Sequence, residues 1–109
     1  MEVVCELMRL RPECVEEYVA MHNDTRPELI TAIRACGFIE EYVFITGTLV
    51  IVVMKCENVA DSAKRLLATA VYQRWTTKVR SMLVPDEALF TTKDILLDLK
   101  PIWNLSEFR

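Results

Sequence analysis

Glycine and histidine are nearly missing from this chain of 109 residues: Gly37 and Gly47 are the two glycines, and His22 is the one histidine. Two isolated glycines cannot build a phosphate-cradling loop, and the sequence contains no nucleophile elbow. One histidine cannot make a histidine-rich metal centre. The four cysteines, Cys5, Cys14, Cys36 and Cys56, include no C-x-x-C pair, which removes the usual arrangement of a structural zinc site. No block of five like charges occurs, and the net charge is −3. That pattern argues against nucleic acid or an anionic membrane surface as a partner. The longest apolar run, Leu49 to Met54, is too short to span a bilayer. With neither a basic leader nor a hydrophobic leader segment at its start, the chain is expected to be cytoplasmic, with reduced and mostly buried thiols.

What is abundant is apolar surface. Hydrophobic residues make up 52% of the chain, high for one domain of this size, spanning 1–109. An excess of that kind implies a second buried surface beyond the core, of the sort an oligomer provides.

Residues 3–10 alternate well enough to predict a strand. Pro12 then opens a helix, and Glu13, Glu16 and Glu17 suit its positive end. Val15, Tyr18, Val19 and His22 recur at helical spacing on one face. Pro27 interrupts that helix, and a second piece runs to a C-cap at Gly37. Residues 38–45 and 48–57, joined at Thr46-Gly47, predict a hairpin whose second strand is apolar on both sides. A helical stretch from Asn58 to Pro85 follows, with a possible break near residues 69–71. Residues 86–93 predict a loop, residues 94–99 a last strand, and Pro101-Ile102-Trp103 the end of ordered structure. The order βαββαβ is α+β and ferredoxin-like: a four-stranded antiparallel sheet with both helical layers on one face. A strand apolar on both sides needs cover on the bare face too, and a symmetric dimer supplies it.

Few residues can carry chemistry. Imidazole is the side chain that ordinarily changes charge near neutral pH, which makes His22 the acid–base candidate. Tyr18, one turn earlier, can share its pocket. The bland alternative is a hydrogen-bonded core histidine. Trp75 is either core or a stacking platform for the apolar face of a sugar ring. Tyr42 shares a strand face with Phe38, Glu40 and Phe44 and is open to the same two readings. The pairs Glu16-Glu17 and Glu40-Glu41 read as solvated charge, because adjacent residues do not share a face.

Three segments, CVEEYVAMHNDTRPELITAIRACG, EYVFITGTLVIVVMKCE and VYQRWTTKV, together resemble the L-rhamnose mutarotase family. The likeness runs from about Val3 to about Pro85. Its most specific parts are Y-x-x-x-H-N followed by P-E-L, and the Q-R-W segment. The resemblance implies a dimeric α+β barrel that interconverts the α and β anomers of a pyranose without metal or organic cofactor. It implies that His22 is the general acid, that Tyr18 and Tyr42 contact the sugar, and that Trp75 lines the sugar site. Two positions depart from the family pattern: Thr76 stands where a second tryptophan is usual, and Arg26 where a tryptophan often precedes the proline. Both substitute polar groups for aromatic surface near the implied pocket, so the accepted sugar is expected to differ in detail.

Mutarotation needs one proton delivered to the ring oxygen and another removed from the anomeric hydroxyl, a task within reach of one imidazole and a polar partner. Asp24, Glu28, Tyr42 or water are the candidates for that partner. Two other classes compete: a non-catalytic sugar-binding dimer, and a monooxygenase-like enzyme of the same barrel type acting on an aromatic substrate.

Overall fold

The computed structural model describes residues 1–86, 88 and 96–108. Strand β1 (Glu2–Leu10) leads through a 3-10 turn at Pro12–Cys14 into helix α1 (Val15–Asn23) and then helix α2 (Pro27–Ala35). A hairpin of β2 (Phe38–Thr46) and β3 (Leu49–Cys56) follows, then helices α3 (Val59–Leu67) and α4 (Ala70–Ser81), and strands β4 (Leu83–Val84) and β5 (Leu96–Leu99).

The helix breaks have local causes. Arg26 is extended and Pro27 sits in the first turn of α2, where its missing N–H costs nothing. Asn58 caps α3 by accepting from the Asp61 amide at 3.0 Å. Thr69, the capping residue of α4, divides the second helical layer in two. The hairpin turns at Gly47, whose φ of +59° a side chain would oppose.

All ladders are antiparallel, in the order β2-β3-β1, with β4 and β5 both pairing the remaining edge of β1. Among the described residues the sheet therefore has five strands where four were expected. Pro85 lacks an amide hydrogen and ends β4 after two residues, leaving the rest of the β1 edge to β5. The predicted last strand began at residue 94; residues 94 and 95, and most of the expected loop 86–93, lie outside the described residues. The chain also continues past Trp103, which stacks on Phe108 with ring centroids 5.4 Å apart around a 3-10 turn at Leu105–Glu107.

The core lies between the helices and one sheet face, where Leu10, Val50, Met82 and Leu83 are almost wholly buried beside Tyr18. A second cluster joins Cys36, Phe38, Cys56 and Leu66. Each large side chain buried in this way contributes about 1.5–3 kcal/mol. On the other sheet face Cys5, Ile51 and Val53 are only half-buried, and Tyr42 and Phe44 are exposed. Cys5, Cys14, Cys36 and Cys56 are all unpaired. Among the described residues no helix is long and apolar enough to cross a membrane.

Candidate active site

Between the helices and the sheet lies a cavity of about 800 Å³, lined in part by Glu6, Tyr18, His22, Glu41, Tyr72 and Trp75. Helix α1 brings Tyr18 and His22 to it one turn apart. The helix stops directly after them: the Asp24 amide donates to Ala20 at 3.1 Å, and the Thr25 hydroxyl donates to the His22 carbonyl at 2.7 Å. The polar break in the sequence thus ends the helix at the imidazole.

His22 Nδ1 lies 2.8 Å from the Tyr18 carbonyl oxygen. A carbonyl can only accept, so Nδ1 carries a hydrogen and Nε2 is the nitrogen that can exchange a proton with a ligand. The ring is clamped from both sides. Tyr18 lies with its centroid 4.5 Å away, and Trp75 meets it edge-on at 5.1 Å. Tyr18 is buried, and desolvation, then the charges of Glu41 and Glu6, push its phenol well above the usual value. The same causes raise Tyr72 to about 12. Both phenols therefore stay neutral hydrogen-bond donors.

Of the residues singled out from sequence, Tyr18, His22, Trp75 and Thr76 line the one cavity. Thr76 is half-buried, and its hydroxyl donates to the Gln73 carbonyl at 3.2 Å. Arg26 is not among them; it is an exposed residue at the start of α2. Tyr42 does not reach the cavity either. A β-bulge between Phe38 and Glu40 inserts one residue into β2 and reverses its side-chain phase. Phe38 therefore points into the core, whereas Tyr42 stacks on Phe44 at 6.3 Å on the opposite face. The expectation that Phe38 and Tyr42 share a face fails for this reason.

The same bulge turns Glu41 toward the cavity. Glu41 stands on an edge strand and remains open to water as a residue, but its carboxyl is partly desolvated over the cavity, which raises its pKa. The reading of Glu41 as solvated charge holds for its exposure and misses this desolvation. Sequence reasoning also passed over Glu6, Asp98, Tyr72 and Arg80, all of which line the cavity. Glu6 did carry a signal: Val4, Met8 and Leu10 share its strand phase, so it is a charge set in an apolar row. Among the described residues no group of three or more His, Cys, Asp or Glu side chains is spaced to hold a metal ion.

Comparison with known proteins shows the family and the fold. The family model of L-rhamnose mutarotase matches residues 3–105. An L-rhamnose mutarotase from Sinorhizobium fredii (strain NBRC 101917 / NGR234) is 30% identical over 109 residues, covering 97% of this chain and all of that protein. The crystal structure of an L-rhamnose mutarotase from Formosa agariphila superposes with a TM-score of 0.70 at 15% identity, covering 95% of this chain and 98% of that one. An antibiotic biosynthesis monooxygenase shares the fold with a TM-score of 0.65 at 12% identity, covering 94% and 99% of the two chains.

Proposed function

This chain belongs to the L-rhamnose mutarotase family, isomerases acting on carbohydrates, and on that premise we propose that it interconverts the α and β pyranose anomers of a 6-deoxyhexose such as L-rhamnose through proton transfer at His22. The observation that carries the reading is the imidazole itself, fixed at Nδ1 by the Tyr18 carbonyl, with Nε2 available beside Trp75. Opening the ring moves the O1 proton to one group, forms C1=O1, breaks C1–O5 and places a proton on O5 from another group. Rotation about C1–C2 and the reverse transfers close the ring on the other carbonyl face. His22 takes one of the two transfers, Tyr18 orients a sugar hydroxyl, and Trp75 packs on the sugar's apolar face. A general acid or base so placed typically contributes 10²–10⁴-fold.

The likeness to the monooxygenase extends to the fold alone. The sheet face remote from the helices supports a second part of the reading, a homodimer in which that face meets its copy. Ile51, Val53 and Phe44 would otherwise leave apolar surface in water.

The test is saturation-transfer NMR of anomer exchange across L-rhamnose, L-fucose, galactose and glucose, with wild type and His22→Ala in parallel. Wild type is expected to accelerate L-rhamnose most, and His22→Ala to lose at least a hundredfold of that rate. Equal exchange by both proteins on every sugar would end the catalytic reading of His22.

A further inference from the structure

Among the described residues the cavity has an imidazole on its helical side and no carboxyl there to match it. Of the candidates named from sequence, the three side chains Asp24, Glu28 and Tyr42 do not line this cavity. What faces it from the sheet is a pair of carboxyls. Glu6 of β1 stands directly opposite Asp98 of β5 in the antiparallel ladder, and both line the cavity. On its other side Glu6 is opposite Val52, and Val4 and Met8 flank it in the same strand phase. Like charges directly opposite one another destabilise a sheet, so this pairing has a cost that packing does not explain.

One proton held between the facing carboxyls relieves that repulsion. Ionised carboxylates only accept, so the pair can hydrogen-bond only once one of them has taken up a proton. We propose that Glu6 is the second proton-transfer group of the reaction: its ionised carboxylate takes the proton from the anomeric O1 and shares it with the facing Asp98, while His22 delivers one to the ring oxygen, and the two exchanges reverse when the ring recloses. This inference rests on the mutarotase reading and deepens it. The bookkeeping of protons closes over one cycle, because opening moves one proton onto the carboxyl pair and one off His22, and closure reverses both.

The groups around Glu6 tune it for that task. Desolvation, Asp98 and Glu41 of β2 all raise its pKa, Arg80 of α4 lowers it, and the balance stands at about 7. Among the described residues His22 and Tyr18 of α1, Tyr72 of α4 and Lys100 just after β5 also line the cavity, as do Glu2 of β1 and Glu57 just after β3. A base with a pKa near the working pH is the efficient choice, because it is ionised often enough to accept and basic enough to hold what it accepts.

The experiment measures anomer exchange of L-rhamnose from pH 5 to 9 for wild type, Glu6→Gln and Asp98→Asn. Wild type should lose rate as pH falls below about 7, the value at which Glu6 takes up its proton. Glu6→Gln should lose roughly a hundredfold in kcat with a much smaller change in KM, and the acid limb should vanish. Asp98→Asn removes the facing charge, so it should move the acid limb to lower pH. A Glu6→Gln protein with wild-type kcat and an unchanged acid limb would overturn the proposal. Should Glu6→Gln fail to fold, as judged by circular dichroism, carboxyl-carbon NMR of the wild type decides. Titration of Glu6 near neutrality supports the assignment, and titration in the ordinary carboxylate range refutes it. If the wild type accelerates none of the four sugars, the mutarotase reading falls as well, an outcome distinct from an active enzyme indifferent to Glu6.

Discussion

The indole of Trp75 stands edge-on to the imidazole of His22, ring centroids 5.1 Å apart and planes at 78°, so helix α4 braces a residue of helix α1. An edge-to-face pair of this kind is worth about 0.5–1.5 kcal/mol beyond area burial. Trp75→Ala removes both the brace and the cavity surface proposed to meet the sugar. KM should rise about tenfold, with a smaller fall in kcat, since about 1.4 kcal/mol corresponds to a factor of ten. Trp75→Phe keeps an aromatic edge and should recover most of the difference. Steady-state anomer exchange checks both, and an unchanged KM in Trp75→Ala would remove the tryptophan from the sugar site.

Tyr18 serves through two separate atoms. Its carbonyl holds His22, and its side chain is proposed to orient a sugar hydroxyl in the cavity that Tyr18 lines. Tyr18→Phe deletes the hydroxyl and leaves the carbonyl, so the imidazole should stay fixed. The expected result is a KM several-fold higher with a kcat close to wild type. A collapse of kcat equal to that of His22→Ala would mean that the hydroxyl itself takes part in proton transfer.

The reach of the sequence follows from these same residues. The helix carrying Tyr18 and His22 was legible from its spacing, and its end from Asn23 to Pro27, because both are local properties. Trp75 and Thr76 followed from periodicity and family likeness. The β2 face was not legible: one bulged residue reversed its phase, exchanging Tyr42 for Glu41 over the cavity. The meeting of Glu6 with Asp98 is a matter of strand register across 92 positions, 98 minus 6, which no local pattern encodes. Arg26 stood within the recognised motif, yet the start of α2 turns it out to solvent.

The raised pKa of Glu6 also makes stability depend on pH. Its value moves from an ordinary 4.5 to about 7 on folding, so within that window the native state holds a proton that the unfolded chain has released. The stabilising contribution is complete below about pH 4.5 and is lost as pH rises through about 7. For a half-buried group it amounts to something on the order of 2 kcal/mol. Between pH 8 and pH 5.5 the wild-type Tm should rise by several degrees more than that of Glu6→Gln. Parallel Tm curves for the two proteins would show that Glu6 titrates normally.

Val53 lies opposite Cys5 and Tyr42 in the two ladders, in the middle of the sheet face remote from the helices. If that face is buried against a second copy, Val53→Asp sets an unpaired charge in the interface, at a cost of several kcal/mol. Light scattering should then report a monomer where the wild type gives a dimer, and the Tm of the wild type should rise with protein concentration. A monomeric wild type would refute the dimer, and a Val53→Asp protein still dimeric would move the interface elsewhere.

Gly37 ends helix α2 with φ of +101°, a conformation that side chains resist. Its amide donates to the Arg34 carbonyl at 3.0 Å, closing the helix, while Arg65 reaches across from α3 to donate to the Cys36 carbonyl at 2.9 Å. A Cβ on residue 37 would sit 3.0 Å from Ser62 Oγ and 3.2 Å from Arg65 Nη2. Gly37→Ala therefore combines backbone strain with a displaced arginine. Gly47, with φ of +59° and nothing within 4 Å of its own Cβ position, isolates the strain alone. Strain of that kind costs about 1–2 kcal/mol. Gly47→Ala should lower stability by about that amount, and Gly37→Ala by more, because the Arg65–Cys36 bond must also give way. Neither glycine lines the cavity, so both proteins should keep anomer exchange at temperatures where they remain folded. Urea unfolding of the two variants supplies the comparison. Equal losses would show that Ser62 and Arg65 yield freely, and that the junction between α2 and β2 is held by its backbone geometry alone.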